Sequence, residues 1–368
     1  MYRTNTVPES VEPDPESFNS EMKDTNSFFA TNFSSIINTE TYMDKSLLIY
    51  KLFQHQEESS ENNLGVLISA PKGFGKTINI DMVRCFLEIQ ENEQYDRKGQ
   101  EIPVEERSNY KLFEGLKIMA PEYTKFVTEH FGKYPVLMLN LQCFDRMRNL
   151  DEMVSFCREM VHKTFLQYRY LASSPMLNAK QKSFCEAWCR QSSHHLFGPL
   201  DVQAALKFLC GFLCLHFKKD HIYLLIDDYD SCILHVVHNA TLYRHQRFVI
   251  LNYYTSVLTS LLKDNTQVIG AFVTGRSYSA AEGLTCKLDN LAIYRLLHDS
   301  YFADYYGLTS KEIDGILSNS TLRSSDKAFI KCTYGYESNN GQPIIYCPQL
   351  VMKYLSHHES GMTNLIVG

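Results

Sequence analysis

The sequence has no long hydrophobic run, no hydrophobic segment at its start and no long basic run. No apolar stretch reaches the roughly 20 residues of a membrane-spanning helix, so we expect no membrane partner. Residues 1–30 are polar and acidic and contain three prolines. This composition excludes a secretory signal peptide and predicts a disordered tail. A net charge of −6 argues against a broad nucleic-acid surface.

Eleven cysteines without a secretory signal indicate free thiols in a reducing compartment. We therefore expect an intracellular protein, either cytoplasmic or nuclear. Two pairs, Cys185 with Cys189 and Cys210 with Cys214, have a spacing of four that places each pair on one helix face. The four thiolates could bind Zn²⁺ if these helices met. The spacing is not a usual zinc spacing, however, so buried free thiols are the favoured interpretation.

Five short apolar runs punctuate the chain and alternate with segments of helical periodicity. The runs are Val66–Ile68, Tyr134–Leu141, His221–Ile226, Gln267–Thr274 and Leu291–Leu296. Three or four helices are expected between the second and third runs, and two more after the fifth. Strands that alternate with helices predict an α/β fold with a parallel sheet covered on both faces. A chain of 368 residues corresponds to one large domain or two.

The segment Ala70–Thr77 follows the first run with the spacing of a phosphate-binding loop, G-x-x-x-x-G-K-[ST], and has Ala70 at the first glycine position. Glycines let backbone N–H groups face phosphate oxygens, and the following helix adds its positive N-terminus. Lys76 is expected to reach the β- and γ-phosphates, and the Thr77 hydroxyl to hold Mg²⁺. The expected nucleotide-binding residues are Lys72, Gly73, Phe74, Gly75, Lys76 and Thr77. A chance turn before a helix is the simpler alternative.

The third run ends in acid, with Asp227, Asp228 and Asp230 in four residues. A carboxylate at this end of a strand lies beside the phosphate loop and holds Mg²⁺, directly or through water. Asp227 is therefore the expected metal ligand with Thr77, and Asp228 the expected base for the attacking water. Asp230 is a second candidate for the acid. The alternative is a strand that ends in a solvated acidic turn. The presence of the phosphate loop in the same chain favours the functional interpretation.

The fourth run ends in Thr274-Gly275-Arg276. A polar residue at this place can sense the γ-phosphate or orient water, which is the role expected for Thr274. Arg276 could stabilise charge in the transition state, in cis or in trans, with a plain surface arginine as the alternative. The predicted catalytic residues are therefore Lys76, Asp228, Thr274 and Arg276.

These features together resemble the AAA-ATPase-like family of P-loop proteins, whose motifs recur here in order over about Thr41 to Tyr354. The family's phosphate loop, R-P-R-R-F-G-K-[ST], also lacks the first glycine. Its acidic strand, L-I-D-E-Y-D, is similar to Leu225–Asp230. The other similar segments are Tyr42–Lys45, Leu112–Ile118, Tyr134–Val136, Thr274–Gly275, Tyr306–Ile313, Thr333–Tyr336 and Tyr346–Gln349.

The resemblance implies an additional-strand P-loop sandwich with the fourth strand between the first and the third. It also implies a P-loop domain over residues 31–300, with a helical insertion, and a small helical or winged C-terminal part over residues 301–368. This chain departs from the family at Asp228, where the family has Glu. Many relatives also carry a C-terminal nuclease-like domain. Too few residues follow the resemblance here to form one, so we expect no nuclease activity.

The sequence thus predicts an ATP-binding protein that is a slow, Mg²⁺-dependent NTPase and acts as a molecular switch on a protein partner or by self-association. Two alternatives stay open. A non-hydrolysing nucleotide-binding module is favoured by Asp228 in place of Glu. A nucleic-acid-associated accessory protein is suggested only by analogy with the nuclease-fused relatives. The sequence does not distinguish ATP from GTP.

Overall fold

The structure is a computed structural model, and it describes residues 32–39, 42–59, 64–91, 93, 101–143, 147–276, 290–336 and 345–358. The helices are α1 Phe33–Ile36, α2 Leu47–Glu58, α3 Lys76–Leu87, α4 Tyr110–Phe113, α5 Thr124–His130, α6 Leu150–Gln167, α7 Ala179–Cys189, α8 Pro199–Phe217, α9 Ser231–Val237, α10 Arg244–Leu262, α11 Ser310–Asn319, α12 Ser324–Thr333 and α13 Pro348–His358. The strands are β1 Gly65–Ser69, β2 Val136–Asn140, β3 Ile222–Asp227, β4 Val268–Gly275, β5 Leu291–Arg295, β6 Leu308–Thr309, β7 Gly335–Tyr336 and β8 Ile345–Tyr346.

Strands β1 to β5 form one parallel sheet in the order β2-β3-β4-β1-β5. The predicted position of the fourth strand, between the first and the third, is therefore confirmed. Every residue of β1 and β3 is buried, because helices cover both faces of the sheet. This burial explains why these strands read as continuous apolar runs. The carboxyl ends of β1, β3 and β4 meet at one edge, where α/β sheets of this kind bind ligands.

Two hydrophobic cores lie on opposite faces of the sheet. Helices α2 and α3 pack on one face, and α6, α8 and α10 pack on the other. Neighbouring strand residues alternate between the two cores, as the period of two in a strand requires. Leu224 and Ile226 face the second core, for example, and Leu225 faces the first. The phosphate-loop helix α3 is thus held between the sheet and the N-terminal helices.

Helix α8 differs from the sequence expectation about membrane-length segments. Its 19 residues have a mean hydropathy of 1.4 over the most apolar window, so by length and composition it could cross a membrane. Half of that window is buried inside the fold. The high hydropathy of α8 is explained by its packing against α6, α10 and β3 in the largest core.

Beyond β5, a smaller group of elements has a core of its own. Strands β6, β7 and β8 form an antiparallel sheet in the order β6-β8-β7, around which α11, α12 and α13 pack. Thr309 caps α11, and Glu312 completes the capping box. We call residues 306–336 and 345–358 the C-terminal unit.

The five predicted strands are all present, and the segment between β2 and β3 contains three α-helices. Helices α4, α5, α9 and α13 and strands β6 and β7 were not predicted. The cysteine pairs of α7 and α8 are free thiols, and within the described ranges no group of three or more His, Cys, Asp or Glu side chains is placed to hold a metal. The predicted disordered tail lies outside the described residues.

Candidate functional site

The loop between β1 and α3 turns on two glycines with left-handed backbone conformations. Gly73 has φ 86° and Gly75 has φ 79°, values that other residues rarely adopt. Ala70 is buried, and its N–H donates to the carbonyl of Gly275 at 3.0 Å. The loop therefore needs glycine at 73 and 75, while position 70 accepts a methyl group.

Lys76 begins helix α3, and its ammonium group curls back over the loop. Its Nζ donates to the carbonyls of Ala70 at 2.8 Å and Pro71 at 2.9 Å. Burial lowers the pKa of Lys76, and the nearby carboxylates of Asp228 and Asp227 oppose that shift. A lysine held at the N-terminus of a helix, beside a glycine-rich loop, forms a site for an anion.

Asp227 ends β3 and is fully buried. Its Oδ2 accepts a hydrogen bond from the Thr77 hydroxyl at 2.7 Å, and its Oδ1 accepts one from the Thr274 hydroxyl at 2.5 Å. The N–H of Asp228 donates to the same Oδ1 at 3.0 Å. Three elements, α3, β3 and β4, thus bring one carboxylate and two hydroxyls together.

This donor set fits a magnesium ion. Mg²⁺ prefers hard oxygen ligands and is held by one or two protein groups together with phosphates and water. The Thr77 hydroxyl donates its hydrogen bond to Asp227, which leaves the lone pairs of the hydroxyl oxygen for a cation. Thr77 and Asp227 are the residues that would hold the ion.

Asp228 follows Asp227 in a strained conformation. Its φ of 52° lies in the left-handed region, which is uncommon for residues other than glycine. Its Oδ1 lies 3.6 Å from Nε of Arg276, so the two side chains form an ion pair. Burial raises the pKa of Asp228, and Asp227 raises it further, while Arg276 and Lys76 oppose the shift.

Asp230 supports the turn that follows β3. It is fully buried, and its Oδ2 accepts a hydrogen bond from the backbone N–H of Arg276 at 2.9 Å. A Cβ at Gly275 would lie 2.4 Å from the Tyr229 ring and 2.8 Å from Asp230 Oδ1. The end of β4 therefore fits tightly over this turn, and Asp230 fixes the place of Arg276. Asp230 as a second candidate for the acid stays a prediction.

The structure also brings the N-terminal motif to the loop. Lys45 Nζ contacts both carboxylate oxygens of Glu312 at 2.8 Å and the carbonyl of Asp304 at 2.9 Å. Beside this ion pair lies a small cavity of about 70 Å³. Its lining comes from the N-terminal segment, from α3 with its preceding loop, and from the C-terminal unit with the residue before it. These residues are Ile36, Tyr42, Met43, Lys45, Phe74, Gly75, Ile78, Asn79, Met82, Tyr305, Gly307, Leu308, Pro348 and Met352.

Sequence reasoning placed Lys76, Thr77, Asp227, Asp228, Thr274 and Arg276 at one site, and the structure brings all six together. The predicted Gly73, Phe74 and Gly75 lie on the loop between β1 and α3, and Lys72 is exposed on the same loop. The residues of the C-terminal unit that touch the loop were missed. The matching segments Tyr306–Ile313, Thr333–Tyr336 and Tyr346–Gln349 were the signal that could have found them.

Comparison with known proteins gives one result that bears on this geometry. No curated protein matches the chain. A family model, AAA-ATPase-like, described as a predicted AAA-ATPase, matches residues 29–285. The match spans the phosphate loop and strands β1 to β4 with the acidic turn, and it covers well over half of the chain. The chain therefore belongs to the AAA-ATPase-like family.

Proposed function

We propose that this protein binds ATP with Mg²⁺ at the Ala70–Thr77 loop, hydrolyses it slowly and acts as a molecular switch. The observation that carries the proposal is the hydrogen-bonded set of Thr77, Asp227 and Thr274 beside Lys76. These four side chains come from three separate elements. Packing and hydrogen bonds fix each of them, as a preorganised site requires.

The geometry supports the following roles. Lys76 and the loop N–H groups bind the phosphates, and the N-terminus of α3 adds positive charge. Thr77 and Asp227 would hold Mg²⁺, which would supply positive charge to neutralise the nucleotide phosphates. Thr274, hydrogen-bonded to Asp227, senses the γ-phosphate. Asp228 accepts a proton from water, and Arg276 stabilises negative charge.

Slow hydrolysis follows from Asp228. Its side chain is one methylene shorter than glutamate, which withdraws the carboxylate by about one C–C bond, roughly 1.5 Å. The carboxylate is also ion-paired with Arg276 at 3.6 Å. A base must reach hydrogen-bond distance of its water, and a misplacement on the scale of 1 Å costs about 100-fold in rate.

Thermal unfolding tests the proposal. A ligand at 100 times its dissociation constant stabilises the native state by about 2.7 kcal/mol. Mg-ATP should therefore raise the melting temperature of the wild type and leave that of Lys76→Ala unchanged. Lys125→Ala is the matched control, because the Lys125 side chain is 88% exposed on α5, and it should respond like the wild type. Equal melting with and without millimolar Mg-ATP in the wild type would contradict the proposal.

A non-hydrolysing nucleotide-binding module is the second candidate, and the Asp228–Arg276 ion pair favours it. Both candidates predict stabilisation by Mg-ATP. They differ in single-turnover assays, in which the switch releases phosphate slowly and the module releases none above the uncatalysed rate.

A further inference from the structure

The outer side of the phosphate loop is held by the C-terminal unit. The Cys347 thiol lies 3.8 Å from the carbonyl oxygen of Lys72 and 3.7 Å from that of Gly73, and donates to them. The N–H of Gln349 donates to the Gly73 carbonyl at 3.3 Å. Burial raises the pKa of the Cys347 thiol, which therefore stays protonated and keeps its donor.

A buried aromatic side chain of the loop anchors the same contact. Phe74 is 1% exposed, and its ring meets Tyr336 edge-to-face with centroids 5.5 Å apart. A Cβ at Gly307 would lie 2.9 Å from the Phe74 ring. A Cβ at Gly73 would lie 2.7 Å from the Gln349 side chain. The loop and the C-terminal unit thus fit together without space for one further methyl group at either glycine.

The contact fixes the direction of two loop N–H groups. A peptide unit is planar and trans, so its C=O and the N–H of the next residue point in opposite directions. The carbonyls of Lys72 and Gly73 point outward to Cys347 and Gln349. The N–H groups of Gly73 and Phe74 therefore point to the inner side of the loop, the side on which a phosphate is bound.

We propose that the C-terminal unit sets the affinity of the loop for nucleotide phosphates, with Cys347, Gln349 and Tyr336 as positioning residues. The ligand in this inference rests on the proposed function. Coupling between two parts of a protein is reciprocal. A displaced C-terminal unit therefore weakens phosphate binding, and a bound nucleotide holds the unit on the loop.

The first test uses the cysteines of the C-terminal unit. Cys347 is buried against the loop, whereas Cys332 is exposed on α12 of the same unit. We expect saturating Mg-ATP to slow alkylation of Cys347 at least threefold and to leave that of Cys332 unchanged, as measured by mass spectrometry of peptides from the alkylated wild-type chain. The inference would be overturned if Mg-ATP slowed alkylation of both thiols by the same factor, or if it changed the rate of neither.

The second test changes Tyr336, the partner of Phe74, and leaves the sequence of the phosphate loop unaltered. Tyr336→Ala removes the ring against Phe74, and Tyr336→Phe keeps it. We expect Tyr336→Ala to raise the Kd for Mg-ATP about tenfold, equivalent to about 1.4 kcal/mol, with kcat within twofold of the wild type. Tyr336→Phe should match the wild type. A merely structural role would lower the melting temperature of Tyr336→Ala and leave its Kd unchanged.

The outcomes separate this inference from the proposed function. If the wild type binds no Mg-ATP, the proposed function fails and the inference loses its ligand. If the wild type binds Mg-ATP, but Tyr336→Ala binds it equally well and Cys347 reacts at the same rate, the inference alone is overturned.

Discussion

The two aspartates at the end of β3 are neighbours in sequence and differ in almost every physical respect. Asp227 is fully buried and accepts hydrogen bonds from Thr77, Thr274 and a backbone N–H. Asp228 has a left-handed backbone and a raised pKa, and its carboxylate forms an ion pair with Arg276, whose side chain is 38% exposed. We call these the metal half and the water half of the site.

The difference teaches that neighbouring residues of one site can be fixed to very different degrees. Hydrogen bonds from fixed neighbours hold the metal half in place. The water half depends on a strained turn and on a partly exposed ion pair, which solvent screens. This contrast is the basis for the proposal of nucleotide binding with slow turnover, and each prediction below alters one half while the other is kept.

The largest effect is expected in the water half. Asp228→Glu lengthens the carboxylate to the family's side chain and should speed single-turnover hydrolysis by up to about 100-fold. Asp228→Asn should reduce hydrolysis to the uncatalysed rate, with the Kd for Mg-ATP unchanged in both variants. The measurement is phosphate release at equal nucleotide occupancy. Brisk turnover by the wild type, matched by Asp228→Asn, would remove Asp228 from the mechanism.

The next largest effect concerns the metal half. Thr274→Val keeps the shape of the side chain and removes the hydroxyl that donates to Asp227 at 2.5 Å. Since both groups are fully buried, we expect a loss of about 1–3 kcal/mol in the free energy of unfolding, measured by urea denaturation. Thr274→Ser retains the donor and should lose less. If valine and serine cost the same, the hydrogen bond does not organise this half.

The metal half and the sheet could be predicted because each rests on a local pattern. The run Ile222–Ile226 is continuously apolar, since both faces of β3 are covered, and Asp227 follows where the strand ends. The phosphate loop also has a local pattern, because the left-handed backbone at positions 73 and 75 requires glycine.

The rest could not be predicted, because it depends on contacts between distant segments. Cys347 contacts Gly73, which lies 274 residues away in sequence. Neither periodicity nor composition predicts such a contact. The left-handed backbone of Asp228 is not specified by its residue type alone. The Lys45–Glu312 ion pair likewise joins segments with no shared pattern.

The smallest expected effect is a pH dependence of stability in the water half. The pKa of Asp228 is raised in the fold, so the folded chain binds this proton more tightly than the unfolded chain. Its contribution to stability is therefore lost as pH rises from the ordinary value of 3.8 through the raised value. Asn tolerates left-handed backbone and carries no charge.

Asp228→Asn should therefore be more stable than the wild type at pH 7, and the advantage should shrink toward pH 4. Urea denaturation across this range measures it. The exposed Asp220, changed to Asn, is the control and should show no such trend. An advantage that stays constant with pH would show that backbone strain, and not the buried charge, is the cause.

The central claim is that the metal half and Lys76 bind a magnesium-nucleotide complex. Titration with a fluorescent ATP analogue, in Mg²⁺ and in EDTA, tests this most directly for the wild type and Lys76→Ala. We predict binding by the wild type that weakens at least tenfold in EDTA, and no measurable binding by Lys76→Ala. Equal affinity with and without Mg²⁺, or equal affinity of the two proteins, would contradict the account.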